Sequence, residues 1–191
     1  MKTKLITVMM SGVLTLVTGC SHLQVNSRGQ TASKPPTVST QRDIVVEAAS
    51  IRKPINIGSH YWKVEPSHLH AFPSDNKVYD RKQITTDSPG VEYLVQFKQP
   101  GTYYLWVKGK GEAGGASVIP GLDGVPLAEN ADFIGFFPYE FSWLGGLHDT
   151  GKRTVLRVGA AGKHRVNFWM LEDGFRFEKF MITTNSELVP E

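Results

Sequence analysis

The sequence predicts an all-β fold, specifically a β-sandwich, on three observations. Side chains alternate within the strand-like runs, so that Tyr93, Val95 and Phe97 share one apolar face, as in sheets that stack on each other. Pairs such as Pro100-Gly101 and Asp173-Gly174 supply turns, because Pro presets φ and Gly accepts positive φ. No stretch of twelve residues shows helical periodicity. Runs rich in β-branched and aromatic residues predict strands near 44–50, 91–98, 102–108, 116–122, 153–159, 164–171 and 175–183.

The first 19 residues resemble a bacterial signal sequence. Lys2 and Lys4 precede an apolar stretch, Leu5 to Val17, that is too short to span a bilayer comfortably. The following Gly19-Cys20-Ser21 resembles a lipobox, in which the cysteine is lipidated and becomes the mature N-terminus. The resemblance implies a lipid anchor in the bacterial cell envelope, and Ser21 indicates the outer membrane. The alternative is an ordinary secretory signal followed by a chance cysteine.

Composition excludes several classes of protein. Cys20 is the single cysteine of the 191 residues, which excludes a disulfide framework and a Cys-rich metal site. Removing residues 1–19 takes away two lysines and no acid, which lowers the net charge from +3 to about +1. Basic residues are scattered, with no run of four or more, so nucleic acid is not an expected partner.

The mature chain divides into three parts. Residues 20–43 are polar and rich in Ser and Thr, which predicts a lipidated N-terminus followed by a flexible tether. The β-sandwich domain is predicted over 44–185, and 186–191 form a C-terminal tail. Within the domain, 56–90 and 123–152 are predicted as long loops crowded with aromatic and histidine residues, and such loops are usually functional.

The strand sequences resemble a known superfamily. Residues 162–183, which contain His164, Trp169 and Glu172-Asp173-Gly174, are similar to the closing strands of galactose-binding-like jelly-roll domains. These domains include carbohydrate-binding modules of families 6 and 35. The hairpin over 93–107, the Gly121-Leu122-Asp123-Gly124 turn and the opening Val46-Glu47-Ala48 extend the resemblance over most of 44–183. It implies a jelly-roll fold and a polysaccharide or oligosaccharide partner.

The resemblance also implies a structural calcium ion. In these modules, acids from the first and last strands ligate calcium, which places Glu47 and Glu178 as its ligands here. The sequence departs from the pattern at Ala49, where a second acid is usual, at Glu178, which replaces Asp, and at Leu171, where Arg is common. The alternative for the two glutamates is a salt bridge to a nearby lysine.

A sugar site needs a flat aromatic platform with polar groups around it, since pyranose rings present apolar C–H faces and a rim of hydroxyls. Trp143 is the first candidate, because Ser142 and Gly145 beside it are small. The alternative is a tryptophan that seals the open end of the sandwich. Tyr139 is the second candidate, with loop packing as its alternative. Trp106 and Trp169 lie within strand patterns and are predicted to be structural.

Five further positions complete the candidate sugar site. Tyr61 and Trp62 are adjacent and point to opposite sides of an extended segment, so one of them is expected to face ligand. His70 is a candidate for hydroxyl binding, and its spacing from His68 also suits a metal if a third ligand is near. His148 and Asp149 lie close to Trp143 in the sequence and either bind sugar or cap a turn.

The sequence favours a binding protein over an enzyme. It contains no G-x-S-x-G, H-E-x-x-H or phosphate-binding loop, and Glu172 and Asp173 are adjacent at a turn, whereas glycoside hydrolysis needs two carboxyls about 5–10 Å apart across a cleft. The first hypothesis is a carbohydrate-binding envelope lipoprotein. The second is a structural or assembly lipoprotein whose aromatic loops, with Phe136 and Phe137, dock an envelope protein partner.

Overall fold

The computed structural model describes residues 43–51, 54–112, 116–127, 133–147, 150 and 152–191. The lipidation position Cys20 and the sugar candidates His148 and Asp149 lie outside the described residues. The strands are β1 (Ile44–Glu47), β2 (Tyr61–Val64), β3 (Leu69–Phe72), β4 (Gly90–Phe97), β5 (Gly101–Lys110), β6 (Ser117–Leu122), β7 (Val125–Pro126), β8 (Ile134–Gly135), β9 (Ser142–Leu144), β10 (Thr154–Val158), β11 (Gly162–Met170) and β12 (Arg176–Thr183).

The strands form two antiparallel sheets. The seven-stranded sheet has the order β10-β5-β12-β3-β2, with β1 also paired to β12 and β9 also paired to β5. The five-stranded sheet has the order β4-β11-β6-β7, with β8 paired to β6. Along the chain, β4, β5, β6, β10, β11 and β12 alternate between the two sheets, which is how a jelly roll crosses from one layer to the other. The predicted β-sandwich is confirmed.

Helical structure in the described residues is limited to three short pieces. Two 3₁₀ turns span Ala48–Ser50 and Arg81–Gln83, and helix α1 spans Ile84–Asp87. None of these described helices has the length and apolar composition that crossing a membrane requires.

The alternation of apolar side chains along the strands identifies the residues that form the core. In β4, Tyr93, Val95 and Phe97 are buried, whereas Leu94 between them is 66% exposed. The inner faces of the two sheets meet in a cluster of rings, where Tyr93 lies 5.0 Å from Phe180 between ring centroids. Trp106 and Trp169 are also buried, in agreement with the structural role predicted for them.

Two strands lie where the sequence predicts a long loop over 56–90. β2 and β3 form a hairpin that pairs with β12, and they carry the sheet beyond the predicted strands. Each has only four residues, so its alternation is too short to distinguish from a loop in the sequence. The sandwich nevertheless recruits them, because Trp62 and Ala71 bury their side chains in the core.

A histidine near the start of β11 predicts pH-dependent stability. His164 Nδ1 lies 2.7 Å from Asp123 Oδ2 and Nε2 lies 2.9 Å from Ala160 O, so the doubly protonated ring donates to both acceptors. The hydrogen bond to Asp123, followed by that to Ala160, raises the pKa of His164 above its ordinary value. The stabilisation is complete below the unfolded pKa of about 6.5 and is lost as pH rises through the raised folded pKa.

We therefore expect His164→Gln to lower the melting temperature most at acidic pH, with a smaller effect at alkaline pH. Thermal unfolding of both proteins between about pH 5 and about pH 9 measures this difference. A difference in melting temperature that stays constant over this pH range would contradict the prediction.

Candidate functional site

The outer face of the seven-stranded sheet carries several aromatic and polar side chains together. Residues directly opposite each other in an antiparallel pair share a face, as do residues two apart on one strand. The register pairs Tyr61 with Phe72, Lys63 with His70, His70 with Arg176, Arg176 with Lys110, and Lys108 with Trp143. The sheet therefore brings Tyr61, His70 and Trp143 to one side, opposite the core.

On the β2–β3 side of this outer face, two rings lie together. The Tyr61 and Phe72 ring centroids are 5.5 Å apart, and His70 lies 5.7 Å from Phe72. The Lys63 ammonium lies 6.0 Å from the Phe72 centroid and also pairs with Glu65 at 2.6 Å. Phe72 is 37% exposed, so part of this aromatic pair is open to solvent.

On the β5–β9 side, the rings of Phe141 and Trp143 flank two lysines. The Lys110 ammonium lies 5.1 Å from the Phe141 centroid, and the Lys108 ammonium lies 6.0 Å from the Trp143 ring. Trp143 is half-buried on β9, and its indole Nε1 donates to the carbonyl oxygen of Glu191 at 2.9 Å. One edge of the indole is thus held by the protein, which fixes the orientation of the ring.

Between the two aromatic groups lies a polar centre. Arg176 donates through Nε to Glu112 Oε1 at 3.0 Å and through Nη2 to the same oxygen. The hydrogen bond from Arg176 lowers the pKa of Glu112, so the ion pair persists at neutral pH. Burial, and then the charge of Arg176, lower the pKa values of His68 and His70. Both imidazoles are therefore neutral near pH 7, and His70 Nε2 lies 3.2 Å from Ser74 Oγ.

The structure separates the predicted sugar-site residues. Tyr61, His70 and Trp143 lie on the outer face. Tyr139, 67% exposed, lies in the segment before β9, where Gly111 N donates to Pro138 O at 2.9 Å. Trp62 is 1% exposed, so its candidacy for ligand binding is corrected: it is a core residue.

Sequence reasoning missed three residues of the outer face: Phe72, Phe141 and Arg176. Phe72 could be recognised from the sequence, because it lies two residues after His70 and therefore shares its face of an extended segment. Phe141 and Arg176 become neighbours of His68 only through folding, with ring centroids 6.0 Å apart for His68 and Phe141.

The two glutamates implied as calcium ligands do not fit a calcium site. The Lys179 ammonium lies 3.4 Å from Glu47 Oε1 and 3.2 Å from Glu178 Oε1. Lys108 Nζ lies 3.7 Å from Glu178 Oε2. A lysine ammonium thus stands between the carboxylates, where calcium needs six to eight oxygen ligands. This corrects the expectation for Glu47 and Glu178 in favour of the salt bridge, and the ion pair with Glu178 raises the pKa of Lys179.

A cavity of about 330 Å³ opens at one end of the sandwich. Glu172, which lines it, accepts a hydrogen bond from Ser117 Oγ at 2.7 Å, and burial raises the pKa of its carboxyl. The described lining contains no aromatic ring, so this cavity offers hydrogen bonds without a stacking platform. The lining residues are Ser74, Asn76, Lys77, Val78, Glu112, Ala116, Glu172, Asp173 and Gly174.

No family model matches the chain. A curated relative, uncharacterized protein P23 of Formosa agariphila, is 31% identical over 155 residues, which cover 69% of this chain and 36% of that protein. The chain therefore spans about a third of the length of this relative.

Similar solved structures include three carbohydrate-binding modules. The C-terminal family 6 module of LamC from Zobellia galactanivorans has a TM-score of 0.48 and 11% identity, covering 74% of this chain and 99% of that module. The family 35 module of Cellvibrio japonicus Abf62 has a TM-score of 0.48 and 6% identity, with coverage of 75% and 94%. A family 36 module in complex with calcium and xylotriose has a TM-score of 0.43 and 17% identity, with coverage of 72% and 97%.

These TM-scores lie below 0.5, so the fold assignment rests on the strand pairing of this chain. On that pairing, the chain is an antiparallel β-sandwich of the jelly-roll type.

Proposed function

We propose that this chain is a non-catalytic carbohydrate-binding lipoprotein of the bacterial cell envelope. It holds polysaccharide near the cell surface through the outer face of the seven-stranded sheet. One observation carries the proposal: Tyr61, Phe72, Phe141 and Trp143 lie on one side of the sheet, on either side of a polar centre. In this proposal, a lipid anchor at Cys20 holds the domain at the membrane. Ser21, which follows the cysteine, favours the outer membrane.

The chemistry of this face suits a sugar chain. The apolar C–H faces of pyranose rings stack on aromatic rings, and their hydroxyls need directed hydrogen-bond partners. The Arg176–Glu112 pair supplies donors and acceptors between the two aromatic groups, and His70, which is 7% exposed, lies beneath them with Nε2 3.2 Å from Ser74 Oγ. β2 and β9 are separated by four strand spacings, about 19 Å, which is long enough for several consecutive sugar units.

The carboxylates on this face support a non-catalytic role. Glu112 is paired with Arg176, and Glu178 lies close to Lys108 and Lys179. Carboxylates held in ion pairs are poor general acids at neutral pH, because the neighbouring cation stabilises the charged form.

A second candidate function is the docking of an envelope protein partner. The observation that favours it is Phe136, which is 52% exposed at a positive φ of 63°, with its ring centroid 6.0 Å from that of Phe133. Tyr139 is also exposed. Phe137 is fully buried against Phe175, so its expected part in this surface is corrected.

A glycan array with the full chain tests the proposed function. We expect binding to one class of polysaccharide, weakened about tenfold or more by Trp143→Ala, because removing an aromatic anchor commonly costs more than about 1.4 kcal/mol. Phe136→Ala is the matched control, since it removes an exposed ring outside the outer face. Absence of binding by the folded wild-type chain would overturn the carbohydrate proposal and favour protein docking. Binding that survives Trp143→Ala and Tyr61→Ala would overturn the outer face as the site.

A further inference from the structure

Three metal-ligating side chains converge beside the cavity at the end of the sandwich. They come from separate parts of the chain: His60 precedes β2, Asp75 follows β3, and Asp173 lies in the turn between β11 and β12. His60 Nε2 lies 2.9 Å from Asp75 Oδ1 and 3.6 Å from Asp173 Oδ2. All three donor atoms lie within 4.8 Å of one another.

These separations fit ligands around one small cation. Metal bonds to imidazole nitrogen and carboxylate oxygen are about 2.0–2.2 Å long, which places neighbouring ligand atoms about 3–4 Å apart. The two distances from His60 Nε2 fall at or close to this range. An ion would replace the hydrogen bond between His60 and Asp75, and the two carboxylates would balance its double charge.

The described contacts hold two of these ligands in position. Asp173 Oδ2 accepts hydrogen bonds from the backbone N–H groups of Asp75 at 2.7 Å and Lys77 at 3.0 Å. These two N–H donors orient the Asp173 carboxylate, whose two oxygens together offer about four lone-pair sites. His60 Nδ1 lies 3.4 Å from Ser59 Oγ, and such a partner on the second ring nitrogen is usual for a metal-ligating histidine.

A second His–Asp pair in the same chain shows what is particular to this cluster. His164 and Asp123 are 2.7 Å apart, but the second nitrogen of His164 is bonded to the carbonyl oxygen of Ala160. Among the described residues, His60, Asp75 and Asp173 form the one group in which three suitable ligand atoms lie close together.

We propose that His60, Asp75 and Asp173 bind one divalent transition-metal ion, with Zn²⁺ as the representative. An imidazole ligand favours Zn²⁺ and its neighbours in the periodic table over Ca²⁺, which takes oxygen ligands. Three protein ligands leave at least one coordination position open, and Asp173 also lines the 330 Å³ cavity. This metal site does not depend on the proposed carbohydrate function.

Calorimetric titration of the metal-stripped full chain with Zn²⁺ alone tests the proposal. We expect one ion per chain, bound at least about tenfold more weakly by Asp75→Asn, because even loss of an outer-shell partner commonly costs about 10- to 100-fold. The Asp75 side chain is 57% exposed, so this variant is expected to fold. His60→Gln is the second variant, and His164→Gln is the control that removes the other His–Asp pair.

Three outcomes decide the result. Loss of binding in folded Asp75→Asn, with binding retained in His164→Gln, supports the site. Equal Zn²⁺ affinity in the wild type and Asp75→Asn would overturn it, whether or not His60→Gln folds. A parallel titration in which Ca²⁺ binds more tightly than Zn²⁺ would overturn the assignment to a transition metal.

Discussion

Trp62→Ala is expected to lower the free energy of unfolding by about 3–5 kcal/mol, whereas Tyr61→Ala lowers it by roughly 1 kcal/mol or less. The two residues are adjacent in β2 but face opposite sides of the sheet. Trp62 is 1% exposed, and its ring packs edge-on near Phe175 and Phe177, with centroid distances of 6.3 and 6.4 Å. Truncation leaves a cavity between the sheets that close-packed neighbours fill only in part.

Trp62 also makes a buried hydrogen bond to the backbone. Its indole Nε1 donates to the carbonyl oxygen of Pro89 at 3.1 Å, which ties the β2–β3 hairpin to the start of β4. Tyr61 instead contacts Phe72 on the outer face. Its loss is expected to weaken sugar binding and leave the core unchanged.

Urea unfolding of the two variants, followed by circular dichroism, measures both changes in stability. Equal losses in Trp62→Ala and Tyr61→Ala would contradict the assignment of these side chains to opposite faces. The comparison is independent of any ligand, so it tests the sheet that positions the candidate site.

Gly109→Ala is expected to lower the free energy of unfolding by about 3 kcal/mol. Gly109 lies in β5 between β12 and β9, at the place where the sheet supports Trp143. An added Cβ would overlap the Phe175 ring and would lie 2.8 Å from the carbonyl oxygen of Arg176. Because one obstacle is backbone, the strands must separate, and a side-chain rotation cannot relieve the overlap.

Gly159→Ala is the matched control for this substitution. A Cβ at Gly159 meets no atom within 4 Å, so a change within about 0.5 kcal/mol is expected. Thermal and urea unfolding of both variants measure the difference. A Gly109→Ala protein as stable as Gly159→Ala would contradict the close approach of β5 to Phe175.

The sequence predicted the strands whose alternation is long enough to recognise. β4 has eight residues, and its buried positions from Val91 to Phe97 follow from side chains that change face at every residue. β11 alternates only over its first four residues, since Val166 to Met170 are all buried. The three residues of β9 give no such pattern. The sequence predicts Trp143 as a platform in a loop, whereas Trp143 lies in β9, because Ser142 and Trp143 pair with Gly109 and Lys108 at the edge of β5.

In the candidate site, the residue types can be recognised in the sequence, but their placement together cannot. The residue types of Tyr61, His70 and Trp143 indicate a sugar site, since exposed aromatic and imidazole side chains suit a sugar, but the fold leaves His70 only 7% exposed. Their placement on one face depends on strand register between β2, β3, β12, β5 and β9, which spans more than 100 residues of chain.

The all-β class, the alternation of β4 and the residue types suited to sugar follow from the sequence alone. Each of these depends on side chains near one another along the chain. The packing of Trp62 in the core, the bridge from Lys179 to Glu47 and Glu178, and the meeting of His60, Asp75 and Asp173 depend on the fold. Pairing between distant strands sets these contacts, and a shift of one residue in register would reverse the face of every side chain in a strand.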